Sequence, residues 1–291
     1  MDDDGPGRPP LDPEAGLPPG EPGRGGRVRW RLEVLEESPS TNAYVAGRAR
    51  DGEAAGLVVA AEHQTAGRGR LDRSWVTPPR AALTFSLLLT PDEVPVHRWP
   101  WLPLLTGLAV AEGVERAAGV GTRLKWPNDV LADEAGAEAK VAGVLVERVE
   151  RPGVEPPPGA AAVVGVGLNV TTTRAELPVP TATSLALAGA ASTDRSALLR
   201  SVLEAFARRY DEWCGCAGGG LRPSYVRACG TLGRQVRVAL PAGGALVGRA
   251  VDVDEEGRLL VDDGSRVHVL GAGDVVHVRP DRPQPGERMR G

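Results

Sequence analysis

The pattern of apolar and polar residues changes along the chain, and these changes divide the chain into four regions. Residues 1–27 are rich in proline, glycine and acidic residues and show no apolar period. Such a composition cannot bury enough apolar surface to offset the entropy of ordering, so it predicts a disordered tail. Apolar residues begin to alternate at Val28, which predicts that the folded region starts there with a half-buried strand. Residues 281–291 lack an apolar pattern and are predicted to form a second tail.

Residues 28–229 combine strand and helix patterns and are predicted to form an α+β domain. Nearly continuous apolar runs of strand length predict buried strands in "GLVVAAEHQ", "AALTFSLLL", "AKVAGVLVERVE" and "AAVVGVGLNV". Apolar residues at helical spacing predict helices in "WPWLPLLTGLAVAEGVERAAG" and "DRSALLRSVLEAFARRYDEWCGC". A shorter helix is expected after "SPSTN", because Ser40, Thr41 or Asn42 can accept a hydrogen bond from its first free backbone amides.

Residues 230–280 have a different pattern, in which short alternating runs are separated by Gly-Gly, Glu-Gly and Asp-Gly and show no helical period. This pattern predicts a small antiparallel barrel of about five strands. A barrel of this size is too small for an enzyme core of its own, so any chemistry is expected in the domain before it.

Composition narrows the class of protein. The chain has 291 residues, 42% of them hydrophobic, which is enough for one large core or two domains. Its 34 basic and 38 acidic residues nearly cancel, so a basic site must be local and generic binding to nucleic acid or membranes is disfavoured. Because no apolar run approaches the roughly 20 residues of a membrane span and the N-terminus does not resemble a signal peptide, a cytoplasmic protein is expected.

The three cysteines, Cys214, Cys216 and Cys229, do not form a disulfide framework of the secreted kind, which also favours a reducing compartment. Cys214 and Cys216 could be half of a metal site. No second pair of cysteine or histidine residues lies at ligand spacing, so ordinary thiols at the end of a helix are favoured.

The segment "AEHQTAGRGRLDRSW" carries the strongest candidate chemistry. Arg68, Arg70 and Arg73 are interspersed with Gly67 and Gly69 directly after a predicted strand. Guanidinium groups bind carboxylate or phosphate in a bidentate manner, and glycine lets the backbone approach a ligand closely. The segment lacks the features of a P-loop or a dinucleotide fingerprint. Taken alone, it is either a solvated basic turn or a clamp for an anion.

Two further segments allow both a structural and a functional interpretation. In "RLKWPNDVL", the side chains of Lys125, Asn128 and Asp129 surround a Trp-Pro turn, which suits either a site for a nucleotide or Mg²⁺ or a turn closed by an Asx hydrogen bond. Lys140 heads an apolar strand, where extension into solvent is the default and a charge directed into a pocket is the alternative.

A glycine pair marks the last predicted strand of the α+β domain. In "VVGVGLNV", Gly165 and Gly167 remove side chains from one face of the strand, and Asn169 follows at its end. Glycines weaken a strand unless another group lies close against it. The pair therefore predicts that something packs on this face.

Five segments follow one another in a fixed order along the chain: "STN", "EHQTAGRGRLDRSW", "KWPND", "KVAGVLVE" and "GVGLN". In this order they resemble the biotin protein ligases, also called biotin-[acetyl-CoA-carboxylase] ligases, and the resemblance covers residues 36–279. It implies a catalytic domain of the biotin/lipoate ligase type over residues 28–229, with a mixed sheet and helices like those of class II aminoacyl-tRNA synthetases. It also implies an SH3-like β-barrel over residues 230–280.

The resemblance implies roles for individual residues as well. The implied biotin-binding residues are Ser40, Thr41, Asn42, Gln64, Arg68, Gly69, Arg70 and Lys140, among which Lys140 and Arg68 are the candidate catalytic residues. The implied ATP-binding residues are Arg73, Trp75, Lys125, Asn128, Asp129 and Asn169, with Asp129 as the candidate Mg²⁺ ligand. Many relatives have glycine where this chain has Asp72, and its carboxylate is expected to turn away from the arginines.

The implied reaction has two steps and a protein partner. Biotin and ATP would give biotinyl-5'-AMP with Mg²⁺ as the accompanying ion, and biotin would then pass to a lysine of a biotin carboxyl carrier domain of an acyl-CoA carboxylase. Arginines, a lysine, Mg²⁺ and backbone amides suit a reaction in which negative charge concentrates on phosphate.

Three alternative functions fit less of the sequence. A lipoate ligase or octanoyltransferase shares the catalytic fold but has different residues in the GRGR and KWPND segments. A DNA-binding repressor would need a helix-turn-helix domain, and the segment before Trp30 predicts none. A binding module built on the barrel alone leaves the five segments unexplained. The expected partners therefore exclude DNA and membranes, and the oligomeric state is left open.

Overall fold

The computed structural model describes residues 7–18, 27–71, 73–151, 159–215, 220–240, 243–271 and 273–277. The predicted tail at residues 281–291, together with Asp72 and Cys216, lies outside these ranges. Within them, no helix is both long enough and apolar enough to cross a membrane.

The described residues form three sheets. The strands in chain order are β1 (Arg31–Ser38), β2 (Leu57–Gln64), β3 (Gly67–Arg68), β4 (Ser74–Trp75), β5 (Ala82–Leu89), β6 (Thr122–Lys125), β7 (Asp129–Glu134), β8 (Ala137–Glu150), β9 (Ala160–Asn169), β10 (Gln235–Ala239), β11 (Ala245–Val253), β12 (Leu259–Asp262), β13 (Val267–Leu270) and β14 (Asp274–His277). The largest sheet has seven strands in the order β1-β2-β5-β9-β8-β7-β6. Strands β1 and β2 run parallel, whereas each other neighbouring pair in this sheet is antiparallel, so the predicted mixed sheet is confirmed.

Helices cover both faces of the seven-stranded sheet. They are α1 (Thr41–Arg50), α2 (Trp101–Ala118), α3 (Arg195–Gly215) and α4 (Arg222–Ala228), with a 3-10 turn at Val96–Arg98. Val58 and Ala60 of β2 belong to the core beneath α2 and α3, whereas Leu57 and Val59 belong to a second core beneath α1. Because both faces of β2 are buried, its sequence is continuously apolar rather than alternating.

The second sheet begins after residue 230 and has five antiparallel strands in the order β13-β12-β11-β10-β14. Two indole groups of the first region donate hydrogen bonds to its β11–β12 loop. Trp126 Nε1 lies 3.0 Å from the carbonyl oxygen of Gly257, and Trp101 Nε1 lies 2.8 Å from that of Glu255. Trp126 belongs to the KWPND segment, so these contacts hold the small sheet beside that segment.

The prediction of a disordered tail over residues 1–27 does not hold for residues 7–18. The side chain of Leu11 is buried, and Leu17 packs against the main core. Gly16 also lies close to the body, since a Cβ atom there would be 3.1 Å from Leu32 Cδ2. The average composition of the segment conceals its two leucines, which supply enough apolar contact to anchor it.

Two of the cysteines lie in described regions, and both are free thiols. Cys214 is partly exposed near the end of α3, as the sequence predicts, and Cys229 is buried after α4. Burial raises the pKa of both thiols. Neither thiol therefore has the lowered pKa of a reactive cysteine.

Candidate active site

A single cleft of about 2080 Å³ contains every residue that the sequence analysis assigns to biotin or ATP. These residues are Ser40, Thr41, Asn42, Gln64, Arg68, Gly69, Arg70, Arg73, Trp75, Lys125, Asn128, Asp129, Lys140 and Asn169. The cleft lies over the seven-stranded sheet, and one side of it is formed by residues of the C-terminal region, including Arg234 directly before β10 and His277 of β14. The fold thus gathers five segments that are far apart in sequence.

The "STN" segment begins helix α1, and its side chains connect that helix to the sheet. Ser40 is the N-cap residue and accepts a hydrogen bond from the backbone amide of Ala43. The backbone amide and hydroxyl of Thr41 donate to Gln64 Oε1 over 2.8 and 3.1 Å. Gln64 is the last residue of β2, so this contact fixes the start of the helix against the end of the strand.

Asn42 is held in one orientation by groups that the sequence analysis did not assign. Its Nδ2 atom donates to Glu147 Oε2 over 2.7 Å, and its Oδ1 atom accepts from the hydroxyl of Ser86 over 2.7 Å. The side chain lies directly over Gly165, where an added Cβ would be 2.2 Å from Asn42 Oδ1. This contact explains one glycine of the "GVGLN" segment.

Trp75 covers the other glycine. A Cβ atom on Gly167 would lie 2.3 Å from Cε2 of the indole ring, and one on Gly143 would lie 3.5 Å from its Cζ3 atom. At these glycines, strands β8 and β9 therefore form a floor without side chains, and the indole lies on it. The Nε1 atom of Trp75 is buried and has no hydrogen-bond partner among the described residues. Lys140 Nζ lies 5.9 Å from the centre of a Trp75 ring, within the range of a cation-π interaction.

Two lysines share one carboxylate in the cleft. Asp129 Oδ1 lies 2.6 Å from Lys140 Nζ, and Asp129 Oδ2 lies 3.6 Å from Lys125 Nζ. Lys140 therefore does not simply extend into solvent; its ammonium group is directed into the cleft.

Only two of the 34 basic residues of the chain are lysines, and these are Lys125 and Lys140. That scarcity is a signal in the sequence that would have singled out both residues.

The donor set around Asp129 does not favour a metal ion held by the protein. Mg²⁺ requires oxygen ligands in near-octahedral geometry, and both oxygens of this carboxylate face ammonium groups. In the part of the chain that the structure describes, no group of three or more His, Cys, Asp and Glu residues could hold a metal ion. The geometry supports Asp129 as the group that positions the two lysines.

The arginine segment forms a short hairpin rather than an irregular loop. Strands β3 and β4 pair Gly67 with Trp75 and Arg68 with Ser74. Arg70 Nη1 donates to Asn128 Oδ1 over 3.0 Å, and Arg70 Nη2 donates to the carbonyl oxygen of Gly273 over 3.3 Å. Arg70 therefore connects the hairpin both to the KWPND segment and to the C-terminal sheet.

Arg68, in strand β3 of the hairpin, contacts strand β8. Its Nη2 atom lies 3.7 Å from Glu147 Oε1, and its side chain is 56% exposed. Ion pairs this exposed contribute little to stability, so the guanidinium group can exchange this carboxylate for another anion at small cost. Arg73 also lines the cleft.

The sequence did not reveal that residues of the C-terminal region line the cleft. Arg234 donates to both carboxylate oxygens of Glu138, over 2.6 and 2.8 Å, and His277 lies 3.1 Å from the hydroxyl of Thr231. Burial, together with the positive charges of Arg234 and Lys125, lowers the pKa of His277 to about 4. The histidine is therefore neutral at pH 7. No motif marks these residues, because the contacts join positions 46 and 96 residues apart in the sequence.

Comparison with known proteins places the chain in a family. Residues 34–169 match the biotin/lipoate A/B protein ligase family, and residues 231–278 match the biotin protein ligase C-terminal domain. The chain is 43% identical over 277 residues to the biotin-[acetyl-CoA-carboxylase] ligase of Mycobacterium tuberculosis, an alignment that covers 94% of this chain and 97% of that protein. The chain belongs to the biotin protein ligase family.

Two further members of the family are similar to this ligase over most of its length. The bifunctional ligase/repressor BirA of Bacillus subtilis is 32% identical over 230 residues, which are 76% of this chain and 66% of that protein. The structure of the Aquifex aeolicus biotin protein ligase in complex with biotin and ATP superposes with a TM-score of 0.69 at 27% identity, covering 86% of this chain and 99% of that one. The predicted family and α+β fold class are thereby confirmed.

Proposed function

We propose that this ligase activates biotin with ATP to biotinyl-5'-AMP and then transfers biotin to one lysine of a biotin carboxyl carrier domain of acetyl-CoA carboxylase or a related acyl-CoA carboxylase. The observation that carries the proposal is the convergence of all five segments on one cleft, around two lysines and a hairpin of arginines. Biotin-dependent exchange of labelled pyrophosphate into ATP tests the first step. Exchange that is independent of biotin would contradict the proposal.

The chemistry accounts for the cationic character of the cleft. A carboxylate is a poor acylating agent, so the biotin carboxylate attacks the α-phosphorus of ATP and pyrophosphate leaves. The amine of the carrier lysine then attacks the carbonyl carbon of the mixed anhydride, and AMP leaves. Negative charge concentrates on phosphate oxygens in the first step, and preorganised cations stabilise it there.

We assign the biotin ring to the pocket beside α1 and β2. Ser40, Thr41, Asn42 and Gln64 place hydroxyl and amide groups next to the glycine floor, which suits the ureido head of biotin. Lys140 lies farther along the same floor and faces the biotin carboxylate and the α-phosphorus. A substrate placed in this way would have its carboxylate near the two ammonium groups.

We assign ATP to the part of the cleft near the KWPND segment. Its candidate contacts are Arg73, Trp75, Lys125, Asn128 and Asn169, while Arg68, Gly69 and Arg70 close over the adenylate. Mg²⁺ enters as the ion bound to the ATP phosphates and is treated as part of the substrate. Asp129 serves the reaction by fixing Lys125 and Lys140.

We expect Glu147 to determine how tightly biotin binds, because it orients Asn42. Glu147→Ala removes a charge-assisted hydrogen bond to Asn42 and should raise the KM for biotin about tenfold. Glu147→Gln keeps an acceptor oxygen for Asn42 Nδ2 and should change that KM by no more than about twofold. Glu150→Ala, on the exposed end of the same strand, is the control. Equal effects of the alanine and glutamine substitutions would show that the KM for biotin depends on the charge of Glu147 and not on the orientation of Asn42.

Arg68→Gly should weaken retention of the adenylate. The guanidinium group is exposed and bound to only one carboxylate, so its loss leaves the fold intact and opens one side of the cleft. The rate at which biotinyl-5'-AMP dissociates from the protein should rise about tenfold. Rapid filtration measures this rate. The released adenylate should then label the lysines of added bystander proteins. The bystander proteins are needed for this readout, because this chain has no lysine outside the cleft. Unchanged bystander labelling would contradict the assignment of Arg68.

A further inference from the structure

The N-terminal strap, defined here as residues 8–17, closes over a buried ion pair. Glu62 of β2 and Arg195 at the start of α3 are joined over 2.6 Å, with side chains only 2% and 5% exposed. The backbone amide of Leu11 donates to Glu62 Oε1 over 2.6 Å, and Arg195 Nη2 donates to the carbonyl oxygen of Pro9 over 2.6 Å. A buried ion pair needs such additional partners, so the strap is an integral part of the fold.

Arg8 extends from the strap to a different part of the molecule. Its Nη2 atom donates to Glu176 Oε2 over 2.8 Å and to the carbonyl oxygen of Thr171 over 3.3 Å, and its side chain is 16% exposed. Glu176 Oε2 also accepts hydrogen bonds from the backbone amide and hydroxyl of Thr173. The hydrogen bond from Arg8, together with those from Thr173, lowers the pKa of Glu176, so the carboxylate is charged at pH 7. Arg8 thus anchors the turn at residues 173–176.

The anchored turn belongs to the site loop, defined here as residues 171–183, and this loop contacts the cleft. The backbone amide of Lys140 donates to the carbonyl oxygen of Thr181, and the amide of Thr183 donates to the carbonyl oxygen of Lys140, each over 2.8 Å. Asn169 Nδ2 donates to the carbonyl oxygen of Thr183 over 2.9 Å. The far end of the loop therefore fixes the backbone of Lys140 and the side chain of Asn169.

We infer that Arg8 is a positioning residue for the ATP side of the cleft, acting through Glu176 and the site loop on the side chain of Asn169. The loop holds only the backbone of Lys140, whose ammonium group is held by Asp129. The inference rests on the proposed function for the assignment of that side to ATP. The strap has two separate parts: Leu11 and the backbone of Pro9 stabilise the fold, whereas the guanidinium group of Arg8 holds the loop. A residue of purely structural importance would change the stability of the protein but not its KM for ATP.

The test compares Arg8→Met with Arg27→Met in the full chain. Both substitutions keep an aliphatic side chain and remove a guanidinium group, but Arg27 pairs with Glu93 at the surface, away from the site loop. We expect Arg8→Met to raise the KM for ATP about fivefold with kcat nearly unchanged. Hydrogen exchange of the backbone amides of residues 173–183 should also accelerate in Arg8→Met. Arg27→Met should leave both quantities unchanged.

Glu176→Gln breaks the same contact from the other side and should reproduce the result of Arg8→Met. Leu11→Ala should lower the unfolding temperature without changing the KM for ATP. Unaltered exchange in the site loop of both Arg8→Met and Glu176→Gln, or an equal effect in Arg27→Met, would overturn the inference. Hydrogen exchange does not depend on ligase activity, so failure of the proposed function would appear separately, as an unmodified protein that forms no adenylate.

Discussion

Lys140→Met is expected to slow the formation of biotinyl-5'-AMP by about 100- to 1000-fold, the usual cost of removing a preorganised group that stabilises transition-state charge. The methionine keeps most of the aliphatic chain beside the Trp75 ring and removes the ammonium group that lies 2.6 Å from Asp129. Single-turnover formation of the adenylate from biotin and ATP measures the effect directly.

The control for this substitution is Arg148→Met, which removes a cation from the exposed part of the same strand. It should form the adenylate at the rate of the unmodified protein. When preformed biotinyl-5'-AMP is supplied, Lys140→Met should still label the carrier domain, because the ammonium group is assigned to the first step. A normal rate of adenylate formation in Lys140→Met would remove its assigned role.

Gly167→Ala is expected to lower kcat/KM for ATP by about 100-fold, since displacements of about 1 Å in an active site can have effects of this size. The new methyl group would lie 2.3 Å from Cε2 of Trp75, and a rigid indole cannot relieve that contact without leaving the floor of the cleft. The overall fold should persist because the ring can move into the open cleft.

Gly121→Ala provides the matched control, since a Cβ atom there has no neighbour within 4 Å. It should retain full activity. Circular dichroism and the unfolding temperature of Gly167→Ala should stay close to those of the unmodified protein, which separates a blocked site from a damaged fold. Full activity in a folded Gly167→Ala variant would show that the position of Trp75 does not matter.

The sequence predicts local structure well where the burial of a segment is visible in its own adjacent or alternating residues. The continuous apolar run of β2 predicts a strand buried on both faces, and the structure places one core on each side of it. The glycines at 165 and 167 predict that groups pack closely on β9, and Asn42 and Trp75 do so. In each case the physical requirement acts on adjacent or alternating residues and is therefore visible in a short segment.

Contacts between distant segments could not be predicted in the same way. The strap lies in a segment whose average composition predicts a disordered tail, because that average conceals Leu11 and its hydrogen bond to Glu62. The contact of Arg234 with Glu138 requires the small sheet to lie beside the cleft, which no local pattern specifies. Glu147 was within a recognised segment, but its role depends on Asn42, about a hundred residues earlier.

The most direct test of the central claim is to incubate the full chain with biotin, Mg-ATP and a biotin carboxyl carrier domain, and to measure adenylate formation and carrier mass together. The account predicts biotin-dependent formation of biotinyl-5'-AMP and addition of one biotin to one lysine of the carrier. It also predicts no addition when that lysine is replaced by arginine. Absence of both the adenylate and the labelled carrier would contradict the assignment of this cleft to biotin ligation.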